Sequence, residues 1–159
     1  MSESDRDNTT DNFPNLALED QLCLALCRGA RSITRLYAER LADLGITHPQ
    51  YLVLLALYAE ECLTAGAIAE RICLDPSSVT PILKKMEESS LIERERPINN
   101  QRQLLVRLTS HGAALKSAVA DVQSNLARAT GLTRTEMIDL CGQLRTVADR
   151  LDAADRPED

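Results

Sequence analysis

The segment Leu74-Asp75-Pro76-Ser77-Ser78-Val79-Thr80-Pro81-Ile82-Leu83-Lys84-Lys85-Met86-Glu87 carries the punctuation of a helix start. Asp75 suits the N-cap position. Pro76 suits the first helical position, where a missing N–H would have no intrahelical partner anyway. The pattern reads as a helix over residues 76–89. Pro81 argues against it, because a proline at the sixth position removes a backbone hydrogen bond and favours a kink. Propensity alone splits the segment there.

The flanks give this segment its meaning. Upstream, residues 64–72 read as a second short helix. Downstream, Ile92-Glu93-Arg94-Glu95-Arg96 and Gln103-Leu104-Leu105-Val106-Arg107-Leu108 alternate in character around the polar stretch Pro97-Ile98-Asn99-Asn100-Gln101-Arg102. That pattern is a β-hairpin with a long tip. Two short helices joined by a tight turn and followed by a hairpin define a winged helix-turn-helix. Its second helix would enter a DNA major groove. Ser77, Ser78 and Thr80 are small enough for close approach to phosphates and base edges, and Lys84 and Lys85 suit phosphate contact. Arg94 on the first strand joins this candidate set. Arg102 at the tip would reach the minor groove. Taken singly, each of these residues is more simply a solvated surface residue; the assembled pattern points to DNA.

The remaining segments frame this reader. Residues 1–14 are polar and read as a disordered tail. A long helix is expected from about residue 16 to residue 43, carrying Leu22, Leu26, Ile33, Leu36 and Leu41, with Gly45 as its stop. Thr47-His48-Pro49-Gln50 reads as a capping box before the nearly all-apolar residues 51–59, which should be buried. Two C-terminal helices follow, over residues 110–129 and 134–153, the second opened by Thr133 and Glu136. The stripe Leu115, Val119, Val122 and Leu126, and the stripe Met137, Leu140, Cys141, Leu144, Val147 and Leu151, exceed what so small a chain can cover. Such faces imply a homodimer.

The expected fold is therefore mainly α with a small β-hairpin wing. It is a single domain over residues 15–159, with 15–45 and 110–153 as dimerisation helices and 48–108 as the winged helix-turn-helix. A two-fold pair would present two recognition helices about 34 Å apart to a pseudo-palindromic double-stranded operator.

Composition narrows the alternatives. The 159 residues are 44% hydrophobic but include only one Phe, three Tyr and no Trp, so the core must be aliphatic. Net charge is −6, which opposes phosphate binding, yet residues 76–109 hold six basic and four acidic side chains, leaving −8 elsewhere. No apolar run approaches the roughly 20 residues of a membrane span. The polar start lacks the marks of a signal peptide, so a cytoplasmic location and no membrane partner are expected. Five cysteines, two histidines and no Cys-x-x-Cys give no expectation of a metal or cofactor. No nucleophile with a clustered acid–base partner is evident, so an enzyme is not expected and a thiol peroxidase is the remote catalytic class.

The chain resembles the MarR family of regulators, and within it the organic-hydroperoxide-sensing OhrR group. The resemblance rests on Leu18-Glu19-Asp20-Gln21-Leu22-Cys23, Thr47-His48-Pro49-Gln50-Tyr51-Leu52 and the Leu74-to-Glu87 segment, and runs over residues 18–151. It implies an unbroken recognition helix through Thr80-Pro81 and a homodimer built on the first and last two helices. It also implies a repressor that leaves its operator when Cys23 is oxidised by an organic hydroperoxide. Tyr37 matches a tyrosine that hydrogen-bonds the sensing sulfur. Fourteen residues along one helix is roughly 21 Å, so Tyr37 would have to serve the partner's cysteine.

The chain departs from the family pattern at several sites. His48 stands where a second tyrosine is usual and, protonated, would stabilise a thiolate. Cys27 replaces a third aromatic, one turn from Cys23. No cysteine stands near Thr130-Gly131, where relatives carry a resolving thiol, and Cys141 falls on the apolar stripe as a core residue. Asn100 replaces the acid that braces the wing arginine, leaving Arg102 without that pair. With the first helix starting near residue 16, Cys23 lies beyond its first turn and gains little from the helix dipole. Oxidised Cys23 then has three fates: a lasting sulfenic acid, a mixed disulfide with a small thiol, or a bond to another protein cysteine. A Cys23–Cys27 disulfide fits an intact helix poorly.

Two other readings remain. One is a regulator released by a small phenolic or aromatic ligand, in which a Cys23→Ser variant would respond normally. The other is a winged-helix protein-interaction module, consistent with the acidic balance, for which DNA association would show little salt dependence.

Overall fold

The computed structural model describes residues 16–154. The order of elements is a 3-10 turn at Leu18–Asp20, then α1 (Leu22–Ala42), α2 (His48–Ala59), β1 (Cys62–Thr64), α3 (Ala65–Arg71) and α4 (Pro76–Glu88). They are followed by β2 (Ile92–Glu95), β3 (Leu105–Leu108), α5 (Ser110–Ala114), α6 (Lys116–Thr130) and α7 (Arg134–Ala154). The expected tail at residues 1–14 lies outside the described residues.

The apolar α2 is the hub, as its sequence requires. Tyr51, Val53, Leu54 and Leu57 are buried in it, against Leu41 of α1, Ile68 of α3, Leu83 and Met86 of α4, and Val119 of α6. The backbone N–H of Thr47 donates to Gln50 Oε1 at 2.8 Å, closing the first turn of α2. At α7 the box is reciprocal: the Thr133 N–H donates to Glu136 Oε2 at 2.7 Å and the Glu136 N–H to Thr133 Oγ1 at 3.2 Å.

Helix α4 is continuous through Pro81. Its buried face is Val79, Leu83 and Met86, spaced at four and three residues. Asp75 holds the N-cap position, but its side chain makes no capping hydrogen bond; its carbonyl accepts from the N–H groups of Ser78 and Val79. Between α3 and α4 the chain turns at Cys73 with φ 55°, a left-handed conformation usually left to glycine.

The hairpin is part of a three-stranded antiparallel sheet in the order β1-β3-β2. The sequence reading missed β1, where Cys62, Leu63 and Thr64 pair with Arg107, Val106 and Leu105. Three residues are too few to show an alternation, and the partner strand is distant in sequence. Opposite residues share a face, so Leu63, Val106 and Arg94 lie together, with Ile92 two residues before Arg94 on the same side. Leu63, Val106 and Ile92 are all buried.

Three other expectations are corrected. Helix α1 starts at Leu22 rather than near residue 16, because Gln21 is extended (φ −77°, ψ 111°) and breaks the ladder after the 3-10 turn. The helix expected over residues 110–129 is divided at Leu115 into α5 and α6. The stripe of Val119, Val122 and Leu126 is buried within the subunit, with α6 packed on α1. The stripe on α7 stays largely bare: none of the helix's 21 residues is buried, Leu140 and Leu151 are 46% and 64% exposed, and Met137 packs against the core. The N-terminal half of α1 is bare as well, at Leu22, Leu24 and Leu26.

Candidate functional site

Burying Val79, Leu83 and Met86 turns the opposite side of α4 outward. Ser77, Ser78, Thr80, Lys84 and Lys85 are all exposed on it. Pro81 has no N–H, so the Ser77 carbonyl lacks its usual helical donor and stays open on this exposed side. The Thr80 hydroxyl donates to the Pro76 carbonyl at 3.0 Å, so it is partly spent on its own helix. Lys84 lies 3.9 Å from Glu88, a loose pair with both side chains mostly in solvent.

The wing extends from this face. Arg96 Nη1 donates to the Gln101 carbonyl at 2.7 Å, Gln101 Nε2 to the Pro97 carbonyl at 3.3 Å, and the Arg102 N–H to Asn100 Oδ1 at 3.3 Å. These bonds shape the tip and leave the Arg102 side chain exposed. Arg96 was not among the candidates; its role inside the tip depends on a turn that composition does not reveal.

Arg94 is placed differently from the other candidates. It lies on the packed side of the sheet, donates through Nε to Glu87 Oε2 at 2.9 Å, and is only 20% exposed. The same guanidinium holds the Glu87 carboxyl below its ordinary pKa. Arg94 is thus a tie between β2 and α4 rather than a free cation. Strand periodicity foretold this, since Arg94 is two residues from the inward Ile92.

The thiol candidates divide into two places. Cys23 is the second residue of α1, inside its first turn, and is exposed. This corrects the placement beyond the first turn: Cys23 sits among the amides that have no intrahelical acceptor. Cys27 follows one turn later, also exposed, on the same groove as Gln21, Leu24, Arg28 and Arg31. The neighbouring Cys23 thiol is the main cause holding the Cys27 pKa above its ordinary value.

Tyr37 and His48 meet elsewhere. Their rings stack at 5.1 Å, and Tyr51 completes a three-ring cluster, 5.1 Å from Tyr37 and 6.0 Å from His48. Tyr37 is buried within its own subunit, and Gln123 Nε2 of α6 donates to the Tyr51 hydroxyl. Burial raises the pKa of both tyrosines, and burial lowers that of His48. His48 thus stacks on the buried Tyr37 of its own subunit, where burial disfavours the protonated form that the sequence reading invoked. Cys141 is exposed on α7, not a core residue, and lies close enough to Tyr37 to influence its ionisation. Among the described residues, no cluster of three or more His, Cys, Asp or Glu could hold a metal ion, and no helix is long and apolar enough to cross a membrane.

Comparison with known proteins accords with this architecture. A model of the MarR family matches residues 46–104, from the turn before α2 to the residue before β3. The organic hydroperoxide resistance transcriptional regulator of Bacillus subtilis is 36% identical over 139 residues, covering 87% of this chain and 95% of the relative. Among solved structures, AbfR of Staphylococcus epidermidis superposes with a TM-score of 0.75 at 30% identity, covering 88% of this chain and 97% of AbfR. Reduced AbfR bound to DNA matches at a TM-score of 0.73 and 31% identity, over 87% of this chain and 96% of that one. With its winged-helix fold and these full-length relatives, the chain belongs to the MarR family of transcriptional regulators.

Proposed function

We propose that the protein is a dimeric, sequence-specific DNA-binding repressor that leaves its operator when Cys23 is oxidised by an organic hydroperoxide. The observation that carries DNA binding is the outward face of α4, where Ser77, Ser78, Thr80, Lys84 and Lys85 are all exposed while the opposite face is core. Inserted in a major groove, Ser77 and Ser78 at the N-terminal end reach base edges and Lys84 and Lys85 meet phosphates. Arg102 on the wing extends the footprint to the adjacent minor groove.

The bare face of α7 and the bare start of α1 support the homodimer, since apolar surface on this scale is normally covered by a partner. Covering it two-fold also presents α4 twice, as a pseudo-palindromic operator requires. Thiol sensing is supported by Cys23 itself: it is accessible, stands at a helix start and has a second exposed thiol, Cys27, one turn away in the same groove. The relative from Bacillus subtilis and the DNA-bound AbfR structures agree with both halves of this reading.

The test is a gel shift on the DNA upstream of the protein's own gene, with and without cumene hydroperoxide. The native protein is expected to shift the DNA and to release it on oxidation. Cys23→Ser is expected to bind and stay bound. Release of both proteins alike would remove the thiol from the mechanism.

A further inference from the structure

We propose that Cys27 resolves oxidised Cys23 within the same helix, forming a Cys23–Cys27 disulfide that unwinds the first turn of α1. The inference deepens the hydroperoxide reading and rests on it. Two thiols one turn apart share a groove, and both are exposed. None of Cys62, Cys73 and Cys141 lines that groove.

The obstacle is geometric, and the structure removes it. Side chains four apart on a helix have Cβ atoms about 5–6 Å apart, whereas a disulfide needs about 3.5–4.5 Å. In mid-helix, closing that gap breaks the ladder on both sides. Cys23 is the second residue of α1, so its N–H has no intrahelical acceptor to lose. The residue before the helix, Gln21, is already extended. Peeling Cys23 toward Cys27 therefore gives up only the bonds accepted by the first carbonyls of the helix. The unwound turn carries Leu22 and Leu24, part of the bare apolar face of α1, so the disulfide disturbs the surface on which pairing of subunits would depend.

The chemistry balances in two steps. The Cys23 sulfur attacks one oxygen of the hydroperoxide, the O–O bond breaks, and the alkoxide leaves and takes a proton to become an alcohol. Cys23 is now a sulfenic acid. The Cys27 sulfur then attacks the Cys23 sulfur, the S–O bond breaks, and hydroxide leaves with the Cys27 proton as water. One S–S bond has formed, and the oxidant has been reduced by two electrons.

The full-length protein is treated with cumene hydroperoxide and, separately, with diamide, which oxidises paired thiols without a sulfenic acid. Peptide mapping and hydrogen exchange follow. Cys23 and Cys27 share one tryptic peptide ending at Arg28. That peptide is expected to lose two hydrogens and resist dimedone, with faster amide exchange over the first turns of α1. In Cys27→Ser, dimedone should trap a sulfenic acid at Cys23. Equal dimedone trapping in native protein and Cys27→Ser would overturn the disulfide while leaving the hydroperoxide reading intact. A Cys23 bond to Cys141 or to a second copy would also overturn it, as would failure of diamide to close the pair. Closure by diamide with Cys23 untouched by hydroperoxide would uphold the pair and refute the peroxide as its oxidant.

Discussion

Arg94 Nε on β2 lies 2.9 Å from Glu87 Oε2 on α4, so the first strand of the wing is tied to the last turn of the recognition helix. The tie sets the angle between two elements that would track neighbouring grooves. On the proposed DNA-binding function, Arg94 would act through position and not through its charge. Arg94→Ala is expected to leave the salt dependence of operator binding nearly unchanged. Arg102→Ala and Lys84→Ala are each expected to reduce the slope of log K against log salt by about 1. Titrations at several salt concentrations check all three variants. An Arg94→Ala slope reduced like that of Arg102→Ala would make Arg94 a phosphate contact.

Gly112 closes the junction between the wing and α5. A Cβ added there would stand 2.1 Å from the Leu91 carbonyl oxygen and 3.2 Å from Leu108 Cδ2. The Gly112 carbonyl also accepts the Tyr58 hydroxyl at 2.9 Å, and the Thr109 hydroxyl donates to the Ser90 carbonyl at 2.6 Å. The Leu108 methyl could turn aside, but the Leu91 carbonyl is backbone and cannot yield without moving the chain. Gly112→Ala is expected to destabilise the fold by about 1–3 kcal/mol, read from the midpoint of urea unfolding.

Leu140 and Leu144 on α7 are 46% and 37% exposed, and no residue of that helix is buried in the subunit. A Leu140→Glu, Leu144→Glu double variant is expected to keep its helical circular dichroism, because it disturbs no core. It is expected to sediment as a monomer and to lose about a hundredfold or more in operator affinity, since the two half-sites are then bound independently. A dimer that survives the double substitution would place the interface elsewhere.

His48 supplies a pH dependence whose sign follows from burial. Its pKa is lowered by desolvation between Tyr37 and Tyr51. Below about pH 6.5 the unfolded chain takes up a proton that the folded chain resists. Stability contributed by the neutral imidazole is therefore present above that pH and lost as pH falls toward the lowered folded value. The carboxylates Glu87 and Glu136, also held below their ordinary pKa, lose their contribution only in more acidic solution. Urea midpoints should fall between pH 7 and pH 5, and His48→Gln should flatten that fall.

What was legible in the residues is what depends on near neighbours. Caps and turns act within four residues, so the starts of α2, α4 and α7 could be placed from Thr47, Pro76 and Thr133. Alternation acts within a strand, so the wing was visible in residues 92–108. The continuity of α4 through Pro81 was not, and came from the family resemblance. Only the folded chain decided the rest, because each remaining feature is a contact between distant segments or a competition between them. Strand β1 exists because β3 pairs with it. The stripe of α6 is satisfied because α1 lies beside it, whereas the stripe of α7 meets the core only at Met137. One extended residue, Gln21, moved Cys23 from the body of a helix to its first turn, and no local pattern of hydrophobicity encodes that break.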